Sequence, residues 1–171
     1  MKHWKSVILL VACFLLASWY YTSAAGAQNM TTAKAECENL MSAALPFAEQ
    51  MLQKQGEFSP YGAALKSRGG IANVAGYEGR EQPPSNDIIR LLKQAFLQGA
   101  KSGEYKATAL VYDVKVTLPS SGQKSDAIAV SLNHRDNYSV IVLFPYQLKN
   151  GQLSIGEVFA QKGEADVFPS K

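Results

Sequence analysis

Asp126-Ala127-Ile128-Ala129-Val130-Ser131-Leu132-Asn133-His134 alternates large and small side chains through its middle. Ile128, Val130, Leu132 and His134 fall on one side and Ala127, Ala129, Ser131 and Asn133 on the other, the two-residue period of a β-strand. Polar turns close the run at both ends, Pro119-Ser120-Ser121-Gly122-Gln123 before it and Arg135-Asp136-Asn137 after it. Upstream of the first turn, residues 105–118 are rich in Val, Tyr and Thr, a strand composition. Downstream of the second, residues 138–146 form a continuous apolar run and predict a central strand. Asn150-Gly151 is a hairpin signal, so residues 153–161 predict a further strand and residues 165–168 a short last one.

Working back towards the N-terminus, the period becomes helical. Ile88, Leu91, Leu92, Ala95 and Phe96 make an apolar stripe that Ser85 can cap, with Asp87 in its first turn and Gly99 and Gly103 at its end. An earlier stripe, Cys37, Leu40, Met41, Ala44, Leu45, Ala48, Met51 and Leu52, predicts a helix over residues 32–55 that stops at Gly56. Pro46 lies inside it and should kink or split it. Between the helices, residues 57–65 and 71–77 read as a hairpin about the Ser67-Arg68-Gly69-Gly70 turn. Pro60 marks the first of these strands as an edge or a bulge. Residues 76–85 read as a polar loop. This element order predicts an α+β fold: an antiparallel sheet of about five or six strands with two helices packed on one face.

The first 27 residues read differently. Lys2, His3 and Lys5 precede an apolar run over residues 7–21, and Ala25-Gly26-Ala27 follows it. Charged, apolar and small residues in that order are an export signal. The run is about 15 residues, short of the ~20 that span a bilayer, so cleavage before Gln28 is expected rather than an uncleaved anchor. Leu10-Val11-Ala12-Cys13 also matches a lipobox, which makes a lipoprotein the minor alternative. Residues 28–171 are then one domain with an irregular polar start, located in the periplasm or secreted.

Loss of Lys2 and Lys5 leaves 15 basic residues against 14 acidic. That near-neutral balance offers no basic stripe for nucleic acid, and membrane contact is expected only through the signal. Cys13 leaves with the signal, so Cys37 has no intrachain partner. On the apolar stripe it reads as a buried thiol.

Chemistry is sparse. His134 is the one histidine beyond the signal, which excludes multi-histidine or multi-cysteine zinc sites, and no cofactor is implied. Asp113 in mid-strand and Asp126 beyond the turn form a possible carboxylate pair, against a solvent-facing Asp113 that pairs with Lys115 or Lys124. No Gly-x-Ser-x-Gly elbow or phosphate loop accompanies them. Two clusters look more like contact surfaces: Glu57, Phe58 and Tyr61 around Pro60, and His134, Arg135, Asp136 and Tyr138 at the second turn. Aromatic and Arg side chains dominate contact hot spots. Against this, Phe58 and Tyr61 can pack under the first helix, and the charged turn can simply be solvated.

Gly56-Glu57-Phe58-Ser59-Pro60-Tyr61-Gly62-Ala63-Ala64-Leu65, Asp126-Ala127-Ile128-Ala129-Val130 and His134-Arg135-Asp136 with Tyr138 resemble a family of small, mostly uncharacterised exported bacterial domains. Some of these are candidate toxin-immunity proteins. The resemblance spans most of residues 40–146 and brings no established active site; it implies an immunity or inhibitor role. The element order is also similar to roadblock and profilin-like domains. The expected function is therefore an exported, non-enzymatic binding domain with a protein partner. The alternatives are a small envelope hydrolase using Asp113, Asp126 or His134, and an accessory factor of an envelope assembly. Intact-mass analysis of the exported protein is expected to give residues 28–171. A lipid-modified N-terminus at Cys13 would instead make it a lipoprotein.

Overall fold

The computed structural model describes residues 4–76 and 83–168, with side chains from residue 28 onward. In chain order its elements are α1 (Trp4–Gln55), β1 (Tyr61–Lys66), β2 (Ile71–Val74), α2 (Ser85–Lys101), β3 (Tyr105–Thr117), β4 (Lys124–His134), β5 (Tyr138–Lys149), β6 (Gln152–Ile155) and β7 (Phe159–Lys162). The chain divides into two compact units, Met1–Thr32 and Ala33–Lys171, and the second holds the sheet. The expected leader lies outside the residues whose side chains are described. Residues 28–32 are helical and exposed rather than irregular, and Ala33 is the first buried side chain among those described.

Among the described residues, seven strands make one antiparallel sheet in the order β2-β1-β3-β4-β5, with β6 and β7 both on the far side of β5. The α+β class and the antiparallel sheet are as the sequence predicts. The placement of the helices is not: they lie on opposite faces. Ala107, Ala109 and Val111 of β3 pack with Cys37, Leu40, Ala44, Ala48 and Leu52 of α1. Leu110 and Tyr112 pack with Ile88, Leu92 and Phe96 of α2. Odd and even positions of a strand point to opposite faces, so the two helices sandwich the sheet. Both β2 and β3 run antiparallel to β1. They are therefore parallel to each other, and α2 is the crossover that joins them.

The segment Tyr61-Gly62-Ala63-Ala64 lets both helices approach β1. Ala63 faces α1. A Cβ on Gly62 would come within 2.5 Å of the Phe96 ring, so glycine is required under that aromatic. Gly99 plays the same part on α2, where the Tyr105 ring occupies the space a side chain would need.

Several boundaries differ from the sequence reading. Pro46 does not divide α1, which continues through it. Pro60 lies just before β1 rather than in it, and β1 is internal, between β2 and β3. Ser85 is not a side-chain cap: Pro84 holds the N-cap position with no side-chain hydrogen bond. β2 ends at Val74, and Tyr77 lies outside the described residues. The single strand expected over residues 153–161 is two. Three residues, 156–158, face two on β5 between the β6 and β7 ladders. The Gly156 N–H donates to the Pro145 carbonyl at 2.7 Å. A strand residue directs its N and its O to the same side, so the donor that proline lacks faces this edge, and the ladder bulges there. Residues 165–168 form no strand, but Val167 is buried against α2 and Lys93 holds Glu164 and Asp166 at 2.7 and 2.8 Å.

Phe96 is the largest of the fully buried side chains. Phe96→Ala is expected to lower the unfolding free energy by ~3–5 kcal/mol, measured by urea denaturation; an unchanged midpoint would contradict the packing of α2 on β1.

Candidate functional site

Three polar side chains from distant parts of the sequence meet at one end of the sheet. His134 ends β4, is 3% exposed, and faces α1. Its Nε2 lies 2.9 Å from Glu36 Oε2. Lys106 Nζ donates to Glu36 Oε1 at 2.6 Å. The backbone N–H of Asp136 donates to His134 Nδ1 at 3.0 Å, so the imidazole proton resides on Nε2 and is donated to Glu36. Lys106 reaches this face through a bulge. Leu65 pairs with Ala107 and Lys66 with Tyr105, which leaves Lys106 as the extra residue. The bulge turns Lys106 towards α1 and Tyr105 towards α2, a re-aiming that a regular strand does not permit.

Burial raises the Glu36 pKa, but the hydrogen bonds from Lys106 and His134 outweigh it and hold the carboxyl below its ordinary range. Cys37, next in sequence, is fully buried, and burial pushes its thiol up to about 12. A protonated thiol is a poor nucleophile, and the His134 ring nitrogens are both engaged elsewhere.

Asp113 and Asp126 sit far from this cluster. Asp113 pairs with Ile128, six residues along β4 from His134, a separation of roughly 20 Å at the strand rise. Asp113 and Asp126 do share a face as diagonal neighbours. The Tyr146 hydroxyl donates to Asp113 at 3.1 Å, and Lys115 holds Asp126 at 2.7 Å. Burial and the Asp126 charge raise the Asp113 carboxyl, against the Tyr146 bond. The Lys pairing expected of Asp113 thus goes to Asp126, and both carboxylates lie far along β4 from His134.

The two contact clusters are also separate. Tyr61 and His134 are two strands and four residues apart in the ladder, roughly 16 Å. Tyr61 is committed to the fold. Its hydroxyl donates to Ala44 O at 2.7 Å and accepts from Ala48 N–H at 3.2 Å. Those are the two groups a regular helix joins to each other, so the phenol bridges α1 across the turn that carries Pro46. Phe58 and Tyr138 are partly buried against the same core, whereas Glu57, Arg135 and Asp136 are exposed.

Phe47 was not singled out by the sequence reading. It is 51% exposed, with its ring edge-on to Tyr61 at 4.9 Å. It lies at a groove of about 800 Å³ lined by Met51, Phe58, Pro60, Tyr61 and Ile88 among others. The visible signal was an aromatic off the apolar stripe of the first helix. Compared with known protein families, curated proteins and solved structures, the chain shows no match.

A depressed folded pKa contributes stability above the unfolded value and loses it as pH falls through the folded one. The unfolding free energy should therefore drop as pH falls below about 4.5, the ordinary value for Glu36. Glu36→Gln is expected to flatten that drop, measured as denaturant midpoints across the acid range.

Proposed function

We propose that the protein is an exported, non-enzymatic binding domain whose partner is another protein. One observation carries this reading: an aromatic side chain, Phe47, stands half in solvent at a large groove lined by both apolar and polar side chains. Exposed aromatics next to a preformed pocket are what contact hot spots are built from. The immunity or inhibitor form of the reading rests on the sequence resemblance at residues 56–65, 126–130 and 134–138. The periplasmic or secreted location rests on the N-terminal signal.

The hydrolase alternative uses Asp113, Asp126 or His134. Asp113 and Asp126 are neighbours, but His134 is far from both along β4, and the hydrogen bonds and ion pairs that already hold all three side chains favour the binding reading. An accessory role in an envelope assembly is compatible with the same surface and differs only in the partner.

The partner is to be captured from envelope extract, identified, and titrated calorimetrically with variants whose folding is checked by circular dichroism. Phe47→Ala and Arg135→Ala are expected to weaken binding by about 2 kcal/mol or more each, roughly thirtyfold. Asp113→Asn and Asp126→Asn should bind as wild type. Tyr61 is unsuitable as a probe because its loss disturbs α1. If both surface variants bind normally, the contact surface lies elsewhere; a turnover abolished by Asp113→Asn would establish the hydrolase instead.

A further inference from the structure

We infer that the Arg135-Asp136-Asn137 turn is a pH-gated contact, latched by the neutral imidazole of His134. The latch is visible in the hydrogen bonds. His134 Nδ1 accepts the backbone N–H of Asp136 at 3.0 Å, and an imidazole nitrogen accepts only while it carries no proton. Nε2 is already committed to Glu36 at 2.9 Å. A proton taken up by His134 must therefore go to Nδ1, where it meets the Asp136 N–H head-on. One of the two donors has to turn away.

The replacement acceptor is already in place. Asp136 Oδ2 lies 3.7 Å from Nδ1, about 1 Å beyond a charge-assisted hydrogen bond. Protonation therefore breaks the hydrogen bond from the Asp136 N–H to the imidazole and draws the Asp136 carboxylate inward. The turn has little slack to absorb this. Arg135 N–H is tied to the Lys106 carbonyl at 3.0 Å, and Asn137 is held at φ 60°. Rotation about position 136 is the remaining freedom. Above the transition the turn presents Arg135 and Asp136 side by side. Below it, Asp136 is engaged with His134 and Arg135 alone faces outward, a surface better suited to an acidic partner.

The charged and titratable groups facing the imidazole come from each element packed against it: Glu36 from α1, Lys106 from β3, Asp136 from the turn and Tyr138 from β5. Of these only the imidazole ordinarily changes charge between about pH 5 and 8. Glu36, held below its ordinary range, stays anionic across that interval, so its ion pair with Lys106 is a fixed frame for the switch. The role of the turn as a contact rests on the proposed binding function; the latch itself rests on the geometry.

The test is a pH titration of the isotope-labelled folded protein by nuclear magnetic resonance, read at the His134 ring and at the backbone amide of position 136. The expected result is an Nε2–H tautomer at high pH, and an amide shift at 136 that moves with the same midpoint as the ring. Asp136→Asn should keep that coupling, because the backbone N–H remains, which separates it from titration of the carboxylate. His134→Gln should abolish the shift over the same interval. An Nδ1–H tautomer at high pH, or a 136 amide that does not follow the ring, overturns the latch while leaving the binding reading intact. If His134→Gln fails to fold, the tautomer and the shared midpoint in the wild-type protein still decide. A latch that titrates as described while Arg135→Ala binds the captured partner normally would overturn the turn's role as a contact.

Discussion

A sheet covered by a helix on each face has to be thin where the helices cross it, and that constraint falls on β1. Gly62, Ala63 and Ala64 leave β1 almost without side chains at its centre. Phe96 descends onto Gly62 from one side, and α1 sits over Ala63 on the other. Ala107 and Ala109 of β3 continue the thin region under α1, while the larger Val111, Ile128, Val130 and Leu132 fill the space beyond. Larger residues along β1 would push the helices outward and open the core on both sides. The positions of the groove beside Phe47 and of Glu36 over His134 both follow from how closely α1 lies on the sheet.

Tyr61 links this packing to the backbone of α1. Proline within a helix removes one hydrogen bond and crowds the carbonyl four residues before it. Beside Pro46, a hydroxyl from the neighbouring strand accepts from Ala48 N–H and donates to Ala44 O, which ties the helix to β1 at that turn. The aromatic body of the same residue supports Phe47 on the outer surface. One side chain thus pins the helix to the strand and props up an exposed ring, which is why a residue that reads as a contact aromatic turns out to be structural.

Much of the fold was legible because its longest elements carry strong periods. The alternation in β4, the apolar run of β5 and the stripe of α2 each name their element without help from the rest of the chain. The side on which each helix packs was not read correctly, although β4 contained the clue. Ala127 and Ala129 are apolar, as are Ile128 and Val130, so both faces of the strand are apolar, the composition of a sheet covered twice. The polar cluster was less accessible. Glu36 sits beside an apolar stripe and reads as a solvated helix residue. Lys106 reaches it only because of a bulge, and the register that creates the bulge is a property of the paired strands. His134 was visible as a lone histidine, but its side-chain partner Glu36 lies 98 residues away in sequence, beyond any local pattern.

The interruption opposite Pro145 has a consequence for the behaviour of the molecule in a crowded compartment. A sheet edge offers a row of unsatisfied donors and acceptors, and a long flat one is a template on which another chain can extend the ladder. Beyond β5 this molecule offers two four-residue strands offset by a bulge. An incoming strand in register with one is out of register with the other, so its side chains would alternate correctly along only half of their length. The missing N–H of one proline thereby hinders edge-to-edge growth and disfavours fibrous self-association along that side of the sheet.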